Sequence, residues 1–168
     1  MRKLVIATIA ACTVFAVSAH AQTPTPAPVP TLPPYGVAIT FDQAKKIGDA
    51  ALEQAKKMNN PCSIALVDPA GILVYFIKMD NARNISPKFA QHKARVAATF
   101  KVASKAFEDR VAGGGAGVAA LSLDDVIASA GGIPILVDGK IIGAIGVGGS
   151  PVGTMDVQVA EAGLAALK

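Results

Sequence analysis

Apolar residues recur three or four apart between Phe41 and Met58, with Phe41, Ala44, Ile47, Gly48, Ala51, Leu52 and Ala55 on one stripe and Lys45, Lys46, Asp49, Glu53, Lys56 and Lys57 off it. That spacing predicts an amphipathic helix whose stripe faces a core. Its start is marked by Thr40-Phe41-Asp42-Gln43, a capping box in which the Thr40 hydroxyl accepts from an otherwise orphaned amide and Gln43 reaches back. Asn59-Asn60-Pro61 ends it. Two short apolar runs follow, Ser63 to Val67 and Ile72 to Ile77, on either side of Asp68-Pro69-Ala70-Gly71, and they predict a β-hairpin. Ser86-Pro87 predicts an N-cap with proline at the first helical position, opening a second helix that runs to about Phe107. Its apolar face is Phe89, Val96, Phe100, Ala103 and Phe107, and Ala90, Ala94, Ala97 and Ala98 beside it permit another element to approach closely.

Between Gly131 and Pro151, two runs of Ile, Leu and Val flank Asp138-Gly139. Both central residues of a type I′ turn need positive φ, which Asp and Gly tolerate, so this is a second hairpin. Gly113-Gly114-Gly115-Ala116-Gly117 reads as a flexible loop before it, and Pro151 to Lys168 as an alanine-rich closing helix. The order α-β-β-α-β-β-α, with hairpins in place of crossovers, gives an antiparallel sheet with helices, an α+β domain.

The first 21 residues add a different expectation. Arg2 and Lys3, an apolar stretch from Leu4 to about Val17, and small residues at Ala19 and Ala21 form the three parts of a secretory signal, with cleavage expected after Ala21. The stretch is shorter than the ~20 apolar residues of a bilayer span, so an exported protein without a membrane span, periplasmic or secreted, is expected. Residues 22–36 carry six prolines in fifteen and read as an extended spacer, leaving residues 37–168 as one domain. Without Arg2 and Lys3, 14 of the 16 Lys and Arg face 12 Asp and Glu, a charge of +2. The sequence pI of 9.2 therefore overstates any case for nucleic acid, and no basic run is interleaved with aromatics. Cys12 leaves with the signal, so Cys62 stands alone and no internal disulfide forms.

Candidate chemistry is sparse. His92 is the single histidine beyond the signal, three residues after Phe89 and four before Val96, where an imidazole could ligate iron or carry a proton. The plain alternative is a half-buried helix histidine. One histidine builds no zinc site. Ser86, His92 and an aspartate make a triad only on paper, since no Gly-x-Ser-x-Gly elbow is present. Gly115-Ala116-Gly117-Val118-Ala119-Ala120 matches a dinucleotide loop loosely but follows a helical stretch where a strand is required. Asp124-Asp125, Glu108-Asp109 and the lysines at 45, 46, 56 and 57 read as solvated charge.

The chain resembles the GlcG/HbpS family of haem-binding proteins, related to the C-terminal domain of corrinoid adenosyltransferases, over residues 38 to 167. The matching features are Ile39-Thr40, Ser63-Ile64-Ala65-Leu66-Val67-Asp68 with Gly71, Lys78-Met79-Asp80-Asn81-Ala82, Ala90-Gln91-His92-Lys93-Ala94-Arg95, Gly131-Gly132-Ile133-Pro134 with Asp138-Gly139, Gly143-Ala144-Ile145-Gly146-Val147 and Ala162-Gly163-Leu164-Ala165-Ala166-Leu167. Their shared order and spacing carry the resemblance. It implies a profilin-like α/β/α layering with about five antiparallel strands, assembly into a homo-oligomer, and haem or a related tetrapyrrole as ligand. Smooth alanine-rich faces on the second and last helices, with a mean hydropathy of +0.46, point to an oligomer as well.

The resulting expectation is an exported, oligomeric protein that binds or sequesters haem without a catalytic centre. His92 is the candidate metal and cofactor ligand, chosen as the sole remaining imidazole, with Met79, Tyr75 and Cys62 as alternatives. Two other readings stay open. One is an enzyme or accessory protein of glycolate or diol-type metabolism, with Lys93, Arg95 and the amides of residues 146–149 holding a small anion. The other is a signalling protein that engages a membrane sensor partner through its surface and proline-rich arm.

Overall fold

The structure is a computed structural model that describes residues 31–167. The expected signal, residues 1–21, and residues 22–30 of the proline-rich stretch lie outside the described residues. Four helices, α1 (Phe41–Lys57), α2 (Ser86–Thr99), α3 (Lys105–Ala112) and α4 (Gly153–Ala165), accompany four strands, β1 (Ser63–Val67), β2 (Leu73–Lys78), β3 (Gly132–Val137) and β4 (Lys140–Gly148). A 3-10 helix spans Gly115–Ser122. The sheet runs β2-β1-β4-β3 and every pair is antiparallel. The α+β class is as expected, whereas the expected five or so strands are four among the described residues. What extends the sheet is a single parallel bridge, Tyr35 to Ile141, with the Gly36 amide donating to Ile141 and the Ile141 amide to Pro34.

Local signals act where they were read. The Thr40 hydroxyl accepts from the Gln43 amide while the Gln43 side chain accepts from the Thr40 amide, completing the capping box. At the other end Asn59 adopts φ +49°, its amide donates to Lys56 and the Asn60 amide donates back to Ala55, a Schellman closure with asparagine in the usual glycine place. Asp138 and Gly139 have φ +49° and +72°, the two left-handed residues a type I′ turn requires. In the first hairpin, Asp68 Oδ1 accepts from the Ala70 and Ile72 amides at 2.8 and 2.9 Å.

The two faces of the sheet differ in grain. Ile64 and Leu66 of β1 and Ile145 and Val147 of β4 point at α1 and α4 and form the larger core with Ile47, Ala51 and Val159. Ala65, Val67 and Ala144 point the other way, at Ala90, Ala94, Ala97 and Ala98 of α2. On that side Gly146 and Gly148 let the helix backbone down onto the strand: a Cβ at Gly146 would collide with the Ala90 carbonyl and the Ala94 nitrogen, and one at Gly148 would sit 2.7 Å from the Ala90 nitrogen. The helix layers on both faces fit the expected α/β/α order.

Three expectations need correction. The second helix does not reach Phe107. It ends at Thr99, Lys101 turns to φ +61°, and α3 starts at Lys105, because Ser104 is anchored to the start of β3. Its amide donates to Gly132, its hydroxyl donates to Ser129, and that hydroxyl accepts from the Gly132 amide. The turn folds Phe107 back edge-on to Phe100, with 5.0 Å between ring centres, over a small core with Val96 and Ala120. Ser86 is not the N-cap, a position Ile85 holds, and its hydroxyl pairs with that of Ser63 at 2.9 Å. Finally, the alanine face of α2 is fully covered by the chain's own sheet, so it is not a surface on which subunits could meet.

Gly146→Ala should lift α2 from the sheet and destabilise the fold by about 3 kcal/mol or more, at the upper end for overpacking. Gly139→Ala meets no neighbour and should lose only the roughly 1–2 kcal/mol of a left-handed residue. Urea unfolding of the two variants checks the ranking.

Candidate functional site

Position 93 lies three residues after Ala90 and one before Ala94, so its side chain leaves α2 at the edge of the buried face. Its ammonium reaches round the end of the sheet to Asp156 in the first turn of α4, with Nζ and Oδ2 2.7 Å apart and side chains 2% and 1% exposed. Gly131, at φ +123°, leaves the passage open: a Cβ there would stand 2.7 Å from the Asp156 Cβ and 3.2 Å from the Lys93 Nζ. The other carboxylate oxygen, Oδ1, accepts from the Ser150 amide at 3.2 Å and takes a short hydrogen bond from the Ser150 hydroxyl. Asn60 Nδ2 donates to that hydroxyl at 2.6 Å.

A buried ion pair offsets its desolvation only when its remaining polar atoms are bonded, and these donors complete the Asp156 carboxylate. Outside the pair, Arg83 holds the same loop. Its Nε and Nη2 donate to the Gly149 carbonyl at 3.0 and 2.7 Å, and Nη2 also donates to the Ser150 carbonyl at 2.6 Å. Cys62 lies beneath this loop, fully buried, with Met79 Sδ 3.9 Å from its Sγ. Burial, reinforced by Asp156 and opposed by Lys93, pushes its thiol up to about 12, so it stays protonated near neutrality.

Three adjoining hollows open at this end. One of about 320 Å³ is lined by Asn59, Asn60, Asn81, Arg83 and Met155, among others. Its neighbour of about 270 Å³ shares Asn59 and Asn60 and adds Lys56 and Met79. A third of about 290 Å³ continues along Leu52, Ile77 and Lys78.

The candidate haem ligands are not gathered in one place. His92 is half-buried and two residues from both Ala90 and Ala94, about 200° round the helix from the sheet-facing side. It therefore faces away from the sheet, one turn after the half-buried Phe89, whereas Val96, one turn further on, is fully buried in the small core with Phe107. Tyr75 and Met79 pack on the opposite side of the sheet, among the α1 and α4 core. The Tyr75 hydroxyl donates to Asp49 at 3.1 Å, and burial raises its pKa first, the Asp49 carboxylate second. Among the described residues, no three of His, Cys, Asp and Glu come together to hold a metal.

The anion grip imagined for Lys93 and Arg95 does not form. Two residues apart, they leave α2 on different sides: Lys93 is buried on Asp156, while Arg95 Nη1 reaches Asp125 at 3.3 Å near the surface. The Gly146 and Gly148 positions are paired with β1 and pressed against α2. Asp156 was missed in the sequence, although it stands in register with Val159, Ala160 and Gly163, a carboxylate on an otherwise apolar stripe. That placement is the signal that asks for a buried cation.

Fold and site together define an α+β protein with helices on both faces of a four-stranded antiparallel sheet and a polar network at one sheet end. The chain belongs to the family described as haem degrading protein HbpS-like, which it matches over residues 39–165. It is 37% identical over 111 residues to the protein GlcG of Escherichia coli, spanning 66% of this chain and 81% of that one. Among solved structures it is similar to a double mutant of Streptomyces reticuli HbpS at 30% identity, with a TM-score of 0.73 over 86% of this chain and 99% of that one. It is also similar to PduOC in its complex with haem, at 30% identity and a TM-score of 0.70, over 77% of this chain and 95% of that one.

Removing one member of the buried pair, as in Lys93→Met, leaves an uncompensated carboxylate and should lose about 3–5 kcal/mol of stability. Adding Asp156→Leu should restore most of it, by chemical denaturation. Cys62 supplies a second check. Its thiol binds its proton more tightly folded than unfolded, so between about pH 9 and 12 the unfolded chain holds fewer protons and stability falls as pH rises, by up to ~1.4 kcal/mol per pH unit. Cys62→Ala should flatten that slope relative to the parent above pH 9 and leave it unchanged below pH 8.

Proposed function

We propose that the protein is an exported, oligomeric haem-binding protein that sequesters haem and has no catalytic centre of its own. The observation that carries this reading is family membership together with a relative solved with haem, at 30% identity over 95% of that relative. Haem brings an iron that accepts an axial imidazole, and His92 is the side chain assigned to it. The local surface fits that role in part. His92 is half-buried on an outward helix face, beside a half-buried Phe89 one turn before it, so this chain covers one side of a flat apolar ligand. A second subunit covers the other side in this reading, which is how ligand binding and oligomer formation belong together. Among the described residues no helix is long and apolar enough to cross a membrane.

Hemin titration of the purified protein should give a saturable Soret shift, and His92→Ala should weaken binding tenfold or more or move the band. An unchanged band and affinity in His92→Ala would put the axial ligand elsewhere, with Met79 the next to replace. Absence of any hemin binding at micromolar concentration would end the haem reading, and light scattering that returns only monomer would end the oligomeric part.

A further inference from the structure

The hollow of about 320 Å³ at the end of the sheet is built of unlike parts from the haem assignment, and its chemistry is specific. Its polar lining is Arg83 with three asparagines, Asn59, Asn60 and Asn81, and no carboxylate. Arg83 has no ion-pair partner among the described residues, so its charge is balanced only by the carbonyl dipoles of Gly149 and Ser150. Those carbonyls take Nε and both protons of Nη2, which holds the guanidinium in place and leaves the two protons of Nη1 without an acceptor among the described residues. Asn60 is 3% exposed and its Nδ2 is committed to Ser150. Among the described residues its Oδ1 takes no side-chain hydrogen bond and is not a buried orphan, so it keeps some access to solvent at a residue that lines this hollow.

We propose that this hollow binds a small hydroxylated monocarboxylate, of the size of a sugar acid. The free Nη1 gives an anion its charged contact, and the asparagines decide between anions, since inorganic phosphate carries no hydroxylated chain for them to engage. Asparagine side chains donate and accept at once, the pattern that matches a row of hydroxyl groups. The volume holds roughly ten water-sized groups at ~30 Å³ each, close to the demands of a five- or six-carbon acid. The walls are already fixed by the α1 closure and by the Arg83 and Asn60 contacts, so little ordering is left for the ligand to bring about.

Titration calorimetry with gluconate, glucuronate and inorganic phosphate tests this. Gluconate or glucuronate should bind one to one in the millimolar range or tighter, and phosphate at least tenfold more weakly. Asn59 and Asn81 sit at φ +49° and +62°, so Asn59→Gly with Asn81→Gly removes both amides while keeping a backbone glycine tolerates. That double variant should melt close to the parent and bind the sugar acid at least tenfold more weakly; Arg83→Gln should abolish binding. No binding of either acid at about 10 mM, equal affinity for phosphate, or unchanged affinity in the folded double variant would each overturn the assignment. The hemin titration is read separately, so either result stands without the other.

Discussion

The closeness of α2 to the sheet is the constraint from which the rest of the molecule follows. A helix can settle on a strand at backbone distance only where both surfaces are nearly bare, and here the helix offers Ala90, Ala94 and Ala97 while the strands offer Ala65, Ala144, Gly146 and Gly148. Dispersion between closely fitted small groups replaces the bulk of large side chains on this face. The opposite face is free to be large, and takes Ile47, Ile64, Leu66, Ile145 and Val159. The domain is thus asymmetric in section, with a tight side and a thick side.

The tight side also decides which polar groups are buried. With α2 so low, Lys93 has no route to water on its own side, since Gly132 lies against its carbonyl and Gly131 beside its ammonium. It meets Asp156 from the other helix layer beside the start of β3. Such a pair adds little net stability beyond what apolar residues would supply, and its effect is geometric. It fixes the start of α4, and through Ser150 the loop that Arg83 and Asn60 then hold from outside.

Much of this was legible in the chain. Elements governed by local chemistry were read correctly: the capping box at Thr40, the Asn59 stop, the Asp138-Gly139 turn and the two hairpins are written in neighbouring residues. What was misread depends on distant partners. Nothing near Phe100 announces that Ser104 will be claimed by Gly132 and Ser129, so the periodic pattern ran on through the break. The α2 alanines were correctly read as allowing close approach, but a sequence does not say whether the approaching element comes from the same chain. Lys93 was noticed for its charge and given to a substrate, because its partner lies 63 residues away.

The same distinction bears on function. A ligand donor chosen by elimination, as His92 was, rests on residue type alone, and the fold then places it on the far side of the sheet from Met79, Tyr75 and Cys62. Burial withdraws Cys62 further, since a thiol held near 12 is a poor source of thiolate. Met79 remains at a hollow rimmed by Lys56, and His92 at an outward helix face. A flat tetrapyrrole cannot touch both in one chain, so the two positions describe different assemblies. With His92 as ligand the iron would lie over a surface that a second subunit would have to close; with Met79 it would lie at a recess the chain itself forms. The position of the ligand and the need for a partner subunit are therefore one question in this fold.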